Sequence, residues 1–284
     1  MKQESIVDFS PIGTLVSIAE YEVHVREHGP SEGPSIVLVH GFLGSMRWFD
    51  RLVPLLSDDF RMVRIDLLGH GFSSRPNRGY SPENQARVLS ALLARLDVVK
   101  PIVIGFSLGA DIAIALMEQG MEVSKLVVID EGPDYSLVYP STINRVLRMP
   151  VFGRPLYRIL PASAYRQVVE GFLAPGLSLE SAFNDPSQAV RDVQVVPYAC
   201  FLGSQVEKER FVAERPLDQR ISTLGVATLV IFGEQDQIYQ AEKSCKRYRA
   251  LSSATVEIIP AVGHSPVTEN PADTARLIRA FVSN

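Results

Sequence analysis

Five short stretches of the chain are apolar at nearly every position: residues 36–40, 62–65, 102–104, 126–129 and 229–232. A strand with one wet face alternates polar and apolar side chains, whereas a strand covered on both faces does not. These stretches therefore predict parallel strands between layers of helices, and residues 256–259 extend the series. Ahead of them, residues 14–19 and 21–26 are β-rich runs separated by a short break, which predicts an opening antiparallel pair. The intervening segments carry helical signals. Ser81-Pro82 offers an N-cap and a first-turn proline, after which Leu89, Leu92, Leu93 and Leu96 mark one face. Residues 108–119 follow a predicted strand directly, and Ala113 and Ala115 would let that helix pack closely on a sheet. Asn270-Pro271 opens a last helix with Leu277, Ile278 and Phe281 on one side. Strands alternating with helices over short connections are the pattern of a doubly wound α/β sheet.

Residues 134–220 break the alternation. No run there reads as a buried strand, and short helical patterns are interrupted at Pro140, Pro150, Pro155, Pro161, Pro175 and Pro186. The segment is expected to be a helical lid inserted between two core strands, with residues 1–133 and 221–284 forming the core. It carries Arg145, Arg148, Arg154, Arg158 and Arg166 with no acid between Pro140 and Arg166, read as a solvated face.

Composition adds mainly exclusions. With 284 residues, 46% of them hydrophobic and 21% charged, the chain can bury a large core. Its 28 basic and 32 acidic side chains are dispersed and give a net charge of −4, so no footprint for a nucleic-acid backbone is expected. Cys200 and Cys245 belong to no CxxC pair or Cys/His cluster and are expected to be free thiols, with no metal site or cofactor implied. Residues Met1 to Ser5 begin no secretory signal, and no stretch nears the roughly 18 apolar residues of a membrane span. A cytoplasmic protein is expected.

Chemistry concentrates in a few loops. Gly105-Phe106-Ser107-Leu108-Gly109 lies between a predicted strand and a predicted helix. There the small neighbours permit a sharp turn that lifts the serine oxygen clear of the sheet. A serine hydroxyl needs a base to accept its proton. His264, in the loop after residues 256–259, is placed at the same edge of the sheet, whereas His24 and His28 are expected in solvent. An acid must orient the imidazole. Asp236 follows the strand at 229–232 and stands 28 positions before His264, with Glu234 as a neighbouring alternative. Donors for an oxyanion are expected from the backbone amides of Leu108 and of Phe42 in His40-Gly41-Phe42-Leu43-Gly44. Trp48 is expected to pack on the sheet, and His70 to bond backbone.

The pieces LVHGFLGS, RIDLLGHGFSS, VIGFSLGA, IFGEQD and VGHSP resemble the α/β-hydrolase superfamily, in the branch of small esterases, haloperoxidase-like enzymes and meta-cleavage hydrolases. The resemblance runs from about Tyr21 onward. It implies a mostly parallel eight-stranded sheet flanked by helices, Ser107 as nucleophile, Asp236 as acid, His264 as base, and Phe42 and Leu108 as the oxyanion hole. Some members of the superfamily place the acid where Asp130 stands. The expected function is hydrolysis of a small or medium apolar ester. Cleavage of a thioester, a lactone or a carbon–carbon bond in an anionic substrate is the alternative, and a small-molecule receptor with little turnover is the alternative of another class. A serine at the nucleophile position departs from the aspartate of dehalogenase and epoxide-hydrolase relatives.

Overall fold

A computed structural model describes residues 12–149 and 151–283. The sequence readings at Met1 to Ser5 and at Pro150 lie outside the described residues. Eight strands, β1 (Thr14–Ile18), β2 (Tyr21–His28), β3 (Ser35–Val39), β4 (Arg61–Ile65), β5 (Ile102–Phe106), β6 (Lys125–Ile129), β7 (Thr228–Gly233) and β8 (Ala254–Ile259), form one sheet in the order β1-β2-β4-β3-β5-β6-β7-β8. β1, β2 and β4 are joined antiparallel, and every other neighbouring pair is parallel. All five residues of β5 and all six of β7 are buried. This is why those segments carry no polar alternation. The outermost strand β1 has a wet face and leaves Leu15 half exposed.

On the sheet lie α1 (Pro82–Arg95) and α2 (Leu108–Glu118). Ser81 caps the first by accepting from the Asn84 amide, as its N-cap chemistry predicts. α2 is buried from Leu108 to Leu116, and its alanines let it lie against β5 and β3. Between β6 and β7 the chain runs through α3 (Thr142–Leu147), α4 (Gly153–Arg158), α5 (Ala162–Glu170), α6 (Leu179–Ala182), α7 (Pro186–Gln194), α8 (Tyr198–Glu214) and α9 (Leu217–Leu224). α10 (Ala241–Tyr248), α11 (Pro266–Glu269) and α12 (Pro271–Val282) complete the fold.

The parallel registers set the ends of adjacent strands side by side. Val39 pairs with Gly105, Phe106 with Ile129, Ile129 with Ile231, and Gly233 with Ile259. The loops after β3, β5, β6, β7 and β8 therefore emerge along one edge, where ligands of such sheets bind.

Two sequence expectations are overturned by strand pairing. His24 and His28 were placed in solvent, but β2 lies antiparallel to β4 with Val25 opposite Ile65 and His28 opposite Met62. That pairing carries His24 onto Asp66, with Nδ1 to Oδ2 at 2.7 Å, and buries it. His28 accepts from the buried Arg64 guanidinium at 2.7 Å. Burial and that cation push its pKa down to about 4, so it is a neutral acceptor.

The inserted helices are tied to the core by buried polar groups. Lys208 of α8 reaches Glu131 after β6 (2.5 Å), Asp111 of α2 (3.3 Å) and the Tyr239 hydroxyl (3.1 Å). Burial alone would lower the lysine pKa; Asp111 and Glu131 instead raise it well above the ordinary value. Asp192 of α7 accepts from Ser45 (2.8 Å), Trp48 Nε1 (3.2 Å) and Gln188 (2.8 Å). Removing one partner from a buried ion cluster strands the others in a medium that solvates charge poorly. Lys208→Met is therefore expected to destabilise the fold by about 3–5 kcal/mol in urea unfolding. A loss below roughly 1 kcal/mol, the scale of a surface pair, would contradict this role for the cluster.

Candidate active site

Ser107 sits between β5 and α2 with φ 50° and ψ −126°, a backbone conformation that costs about 1–3 kcal/mol for a residue with a side chain. Its neighbours are glycines because backbone presses on them. A Cβ on Gly105 would come within 2.5 Å of Ala110 backbone, and one on Gly109 within 2.0 Å of the Val39 carbonyl. The turn leaves Ser107 at the N-terminus of α2, where amides and the helix dipole favour negative charge.

Three of the residues singled out from sequence converge. His264 Nε2 lies 3.1 Å from Ser107 Oγ, and its Nδ1 lies 2.9 Å from Asp236 Oδ2. The other Asp236 oxygen accepts the amides of Ile238 (2.6 Å) and Tyr239 (3.1 Å), so the carboxylate is held by three donors. All three residues are buried, Ser107 keeping 8% of its surface. The competing Glu234 stays exposed and accepts the Ala261 amide at 3.1 Å. Gly233 is required because the acid loop and the histidine loop touch backbone to backbone. A Cβ there would lie 1.9 Å from the Gly263 carbonyl.

The loop after β3 presents the remaining donors. Among the described residues, the Phe42 and Leu108 amides donate to no protein acceptor, and Gly41 brings this loop against Ser107. A Cβ on Gly41 would meet the Ser107 Cβ at 3.0 Å. Two buried histidines fix the loop. His40 accepts the Leu67 amide at 3.0 Å and donates to the Gly41 carbonyl; His70 accepts the Leu43 amide at 3.3 Å and donates to the Leu68 carbonyl. Burial lowers the pKa of both, that of His70 to about 3. His70 thus bonds backbone, as read from sequence.

Aromatic side chains enclose the serine and histidine. Rings of Phe106, Phe172 and Tyr239 lie 5.5–6.0 Å from His264, and Phe42 lies 5.8 Å from Phe201 of α8. Trp48 packs on Phe106 of the sheet as expected, but also on Phe172 and Phe183 of the insertion. Sequence reasoning passed over Phe172, Phe201, Tyr239 and Asp192. The one signal in the sequence for Asp192 was an acid set among the apolar positions Ala189, Val190 and Val193; burial pushes its pKa up to about 7. Arg145, Arg154 and Arg158 are exposed, Arg148 pairs with Glu209, and Arg166 with Glu170 and Glu180.

Asp130 shares the site. One atom each from Asp130, Asp236 and His264 lie within 4.8 Å of one another. His264 and Asp236 already bond each other, so a metal ion held by this group would have to displace that bond.

The sequence profile of the alpha/beta hydrolase family matches residues 36–277. The chain is 24% identical over 286 residues to a non-heme chloroperoxidase of Streptomyces lividans, covering 96% of this chain and 100% of that one. It is 24% identical over 292 residues to a 2-(acetamidomethylene)succinate hydrolase of Mesorhizobium japonicum, covering 95% of each. An esterase from Exiguobacterium antarcticum shares the fold with a TM-score of 0.80 at 18% identity, over 96% of this chain and 100% of that one. With a profile match over most of its length and the eight-stranded sheet that the fold requires, the chain belongs to the α/β-hydrolase family.

Proposed function

We propose that the protein is a serine hydrolase that cleaves a small or medium apolar ester through an acyl-enzyme, with Ser107, His264 and Asp236 as its catalytic triad. The observation that carries this reading is the unbroken relay from Asp236 through His264 to Ser107. His264 Nε2 takes the Ser107 proton as Oγ attacks the ester carbonyl. The Phe42 and Leu108 amides donate to the oxygen as it becomes an alkoxide. The imidazolium then returns the proton to the departing alcohol, leaving Ser107 acylated. Water, deprotonated by the same nitrogen, releases the acid by the reverse sequence. Asp236 keeps the proton on Nδ1 and stabilises the imidazolium, itself staying ionised.

The aromatic lining supports an uncharged acyl group: the rings of Phe106, Phe172 and Tyr239 lie against His264, while Arg145, Arg154 and Arg158 of the insertion are exposed. Residues 134–220 act in this reading as a lid. They contribute Phe172 and Phe201 to the enclosure, so they are where acyl selection would reside. The protein is taken to work in the cytoplasm. Thioesters, lactones and activated carbon–carbon bonds need the same machinery. The hydrolase relative named for a succinate derivative keeps an anionic substrate in the comparison.

A panel of chromogenic esters and thioesters graded in acyl length, with lactones beside them, tests the reading. Turnover of neutral esters should exceed that of anionic substrates, and Ser107→Ala should lower kcat on the order of 10⁶-fold while leaving the fold intact. A variant retaining more than about a tenth of wild-type kcat would rule out a serine nucleophile. Failure of the wild type on every acyl compound would favour the receptor reading. Asp236→Asn should lower kcat by roughly 10⁴, because an amide holds the wrong imidazole tautomer. As pH falls, kcat/KM should drop up to about tenfold per unit once the free-enzyme imidazole is protonated; a flat profile in folded protein with chemistry rate-limiting would contradict His264 as base.

A further inference from the structure

Asp130 terminates β6 in the left-handed region, with φ 45°, and is fully buried. A non-glycine residue keeps such a conformation only where its surroundings enforce it. Here its own amide donates to the Ile231 carbonyl at 2.9 Å, and its Oδ1 accepts the Gly233 amide at 2.9 Å. The other carboxyl oxygen, Oδ2, is buried with no donor among the described residues. The Asp130 carboxyl adjoins that of Asp236, whose oxygens already accept three N–H groups. Two buried carboxyl groups in contact do not both ionise, and the one with fewer donors keeps the proton. Asp236 has three donors and Asp130 has one.

We propose that Asp130 is a positioning residue: a neutral carboxylic acid whose Oδ2–H donates to the Asp236 carboxylate, making the relay four residues long. The proposal rests on the triad reading only for its catalytic consequence. It gives the otherwise orphaned Oδ2 a partner and supplies Asp236 with a fourth donor. The groups facing Asp130 are Asp236 from the loop after β7, His264 from the loop after β8, Glu269 of α11 and Cys245 of α10. Burial first, then Asp236, raises the Asp130 pKa well above the usual carboxylate range. The extra donor draws charge away from Asp236 and so weakens its hold on the imidazolium.

The native chain binds a proton that the unfolded chain releases above the ordinary aspartate range. Stability from this group is therefore full at low pH and is lost as pH rises through the native value. Asparagine reproduces both bonds without a proton, its oxygen accepting from Gly233 and its amide donating to Asp236. Urea unfolding of wild type and Asp130→Asn from about pH 5 to about pH 8 should show the wild-type folding constant falling against the variant by up to about tenfold per pH unit. Parallel curves would overturn the proposal, whether or not any substrate has been found. In kinetics, Asp130→Leu should move the acid limb of kcat/KM to higher pH, and Asp130→Asn should bring it back toward wild type. A limb unmoved in a folded Asp130→Leu would overturn the positioning role. Should that variant fail to fold, the unfolding curves decide together with the infrared difference between wild type and Asp130→Asn, where a protonated-carboxyl stretch should be lost. If Asp130→Asn abolished turnover while Asp236→Asn spared it, Asp130 would be the acid itself.

Discussion

The turn at Ser107 is the constraint on which the rest of the site depends. A serine with positive φ, squeezed between a buried strand and a buried helix, is tolerated only where nearby backbone can approach without side chains. Gly41, Gly105 and Gly109 meet that demand at contacts that a Cβ would close to 2.0–3.0 Å. The same turn puts the Leu108 amide at the start of α2 and sets Oγ within reach of His264. Strain is thus held by the two layers that pack on either side of the strand end, and the chemistry is placed by the strain.

A second theme is the use of buried charge to join parts distant in sequence. Lys208 brings a helix of the insertion onto α2 and onto the loop after β6. Asp192 does the same for the loop after β3, through Ser45 and Trp48. Both touch elements that carry the site: α2 begins at the Leu108 amide, and the loop after β3 holds Phe42. Tyr239 joins the Lys208 cluster to Asp236, donating its amide to Asp236 and its hydroxyl to Glu131. Through Lys208 and Tyr239 the insertion is thus tied to Asp236.

What was legible in the sequence was local. Continuous apolar runs marked the strands because burial on both faces removes alternation, and small residues around Ser107 marked a turn because that geometry forbids larger ones. Asp236 and His264 could be set beside Ser107 because each follows a strand at the same sheet edge. What was not legible depends on pairing across the chain. His24 looked solvated until β4 brought Asp66 beside it, and nothing near Lys208 in sequence announces Glu131 or Asp111. Asp130 read as a competitor for the role of acid. Only its contact with Asp236, and the count of donors around each carboxyl, distinguishes the two.

An activated Ser107 nucleophile is the centre of the proposed chemistry. The most direct measurement is reaction with a fluorophosphonate followed by peptide mapping. One phosphonyl group per chain, carried by the peptide that contains Ser107 and lost when His264 is replaced by alanine, is the expected result. Failure of folded wild-type protein to react, or a label on another residue, would contradict the account.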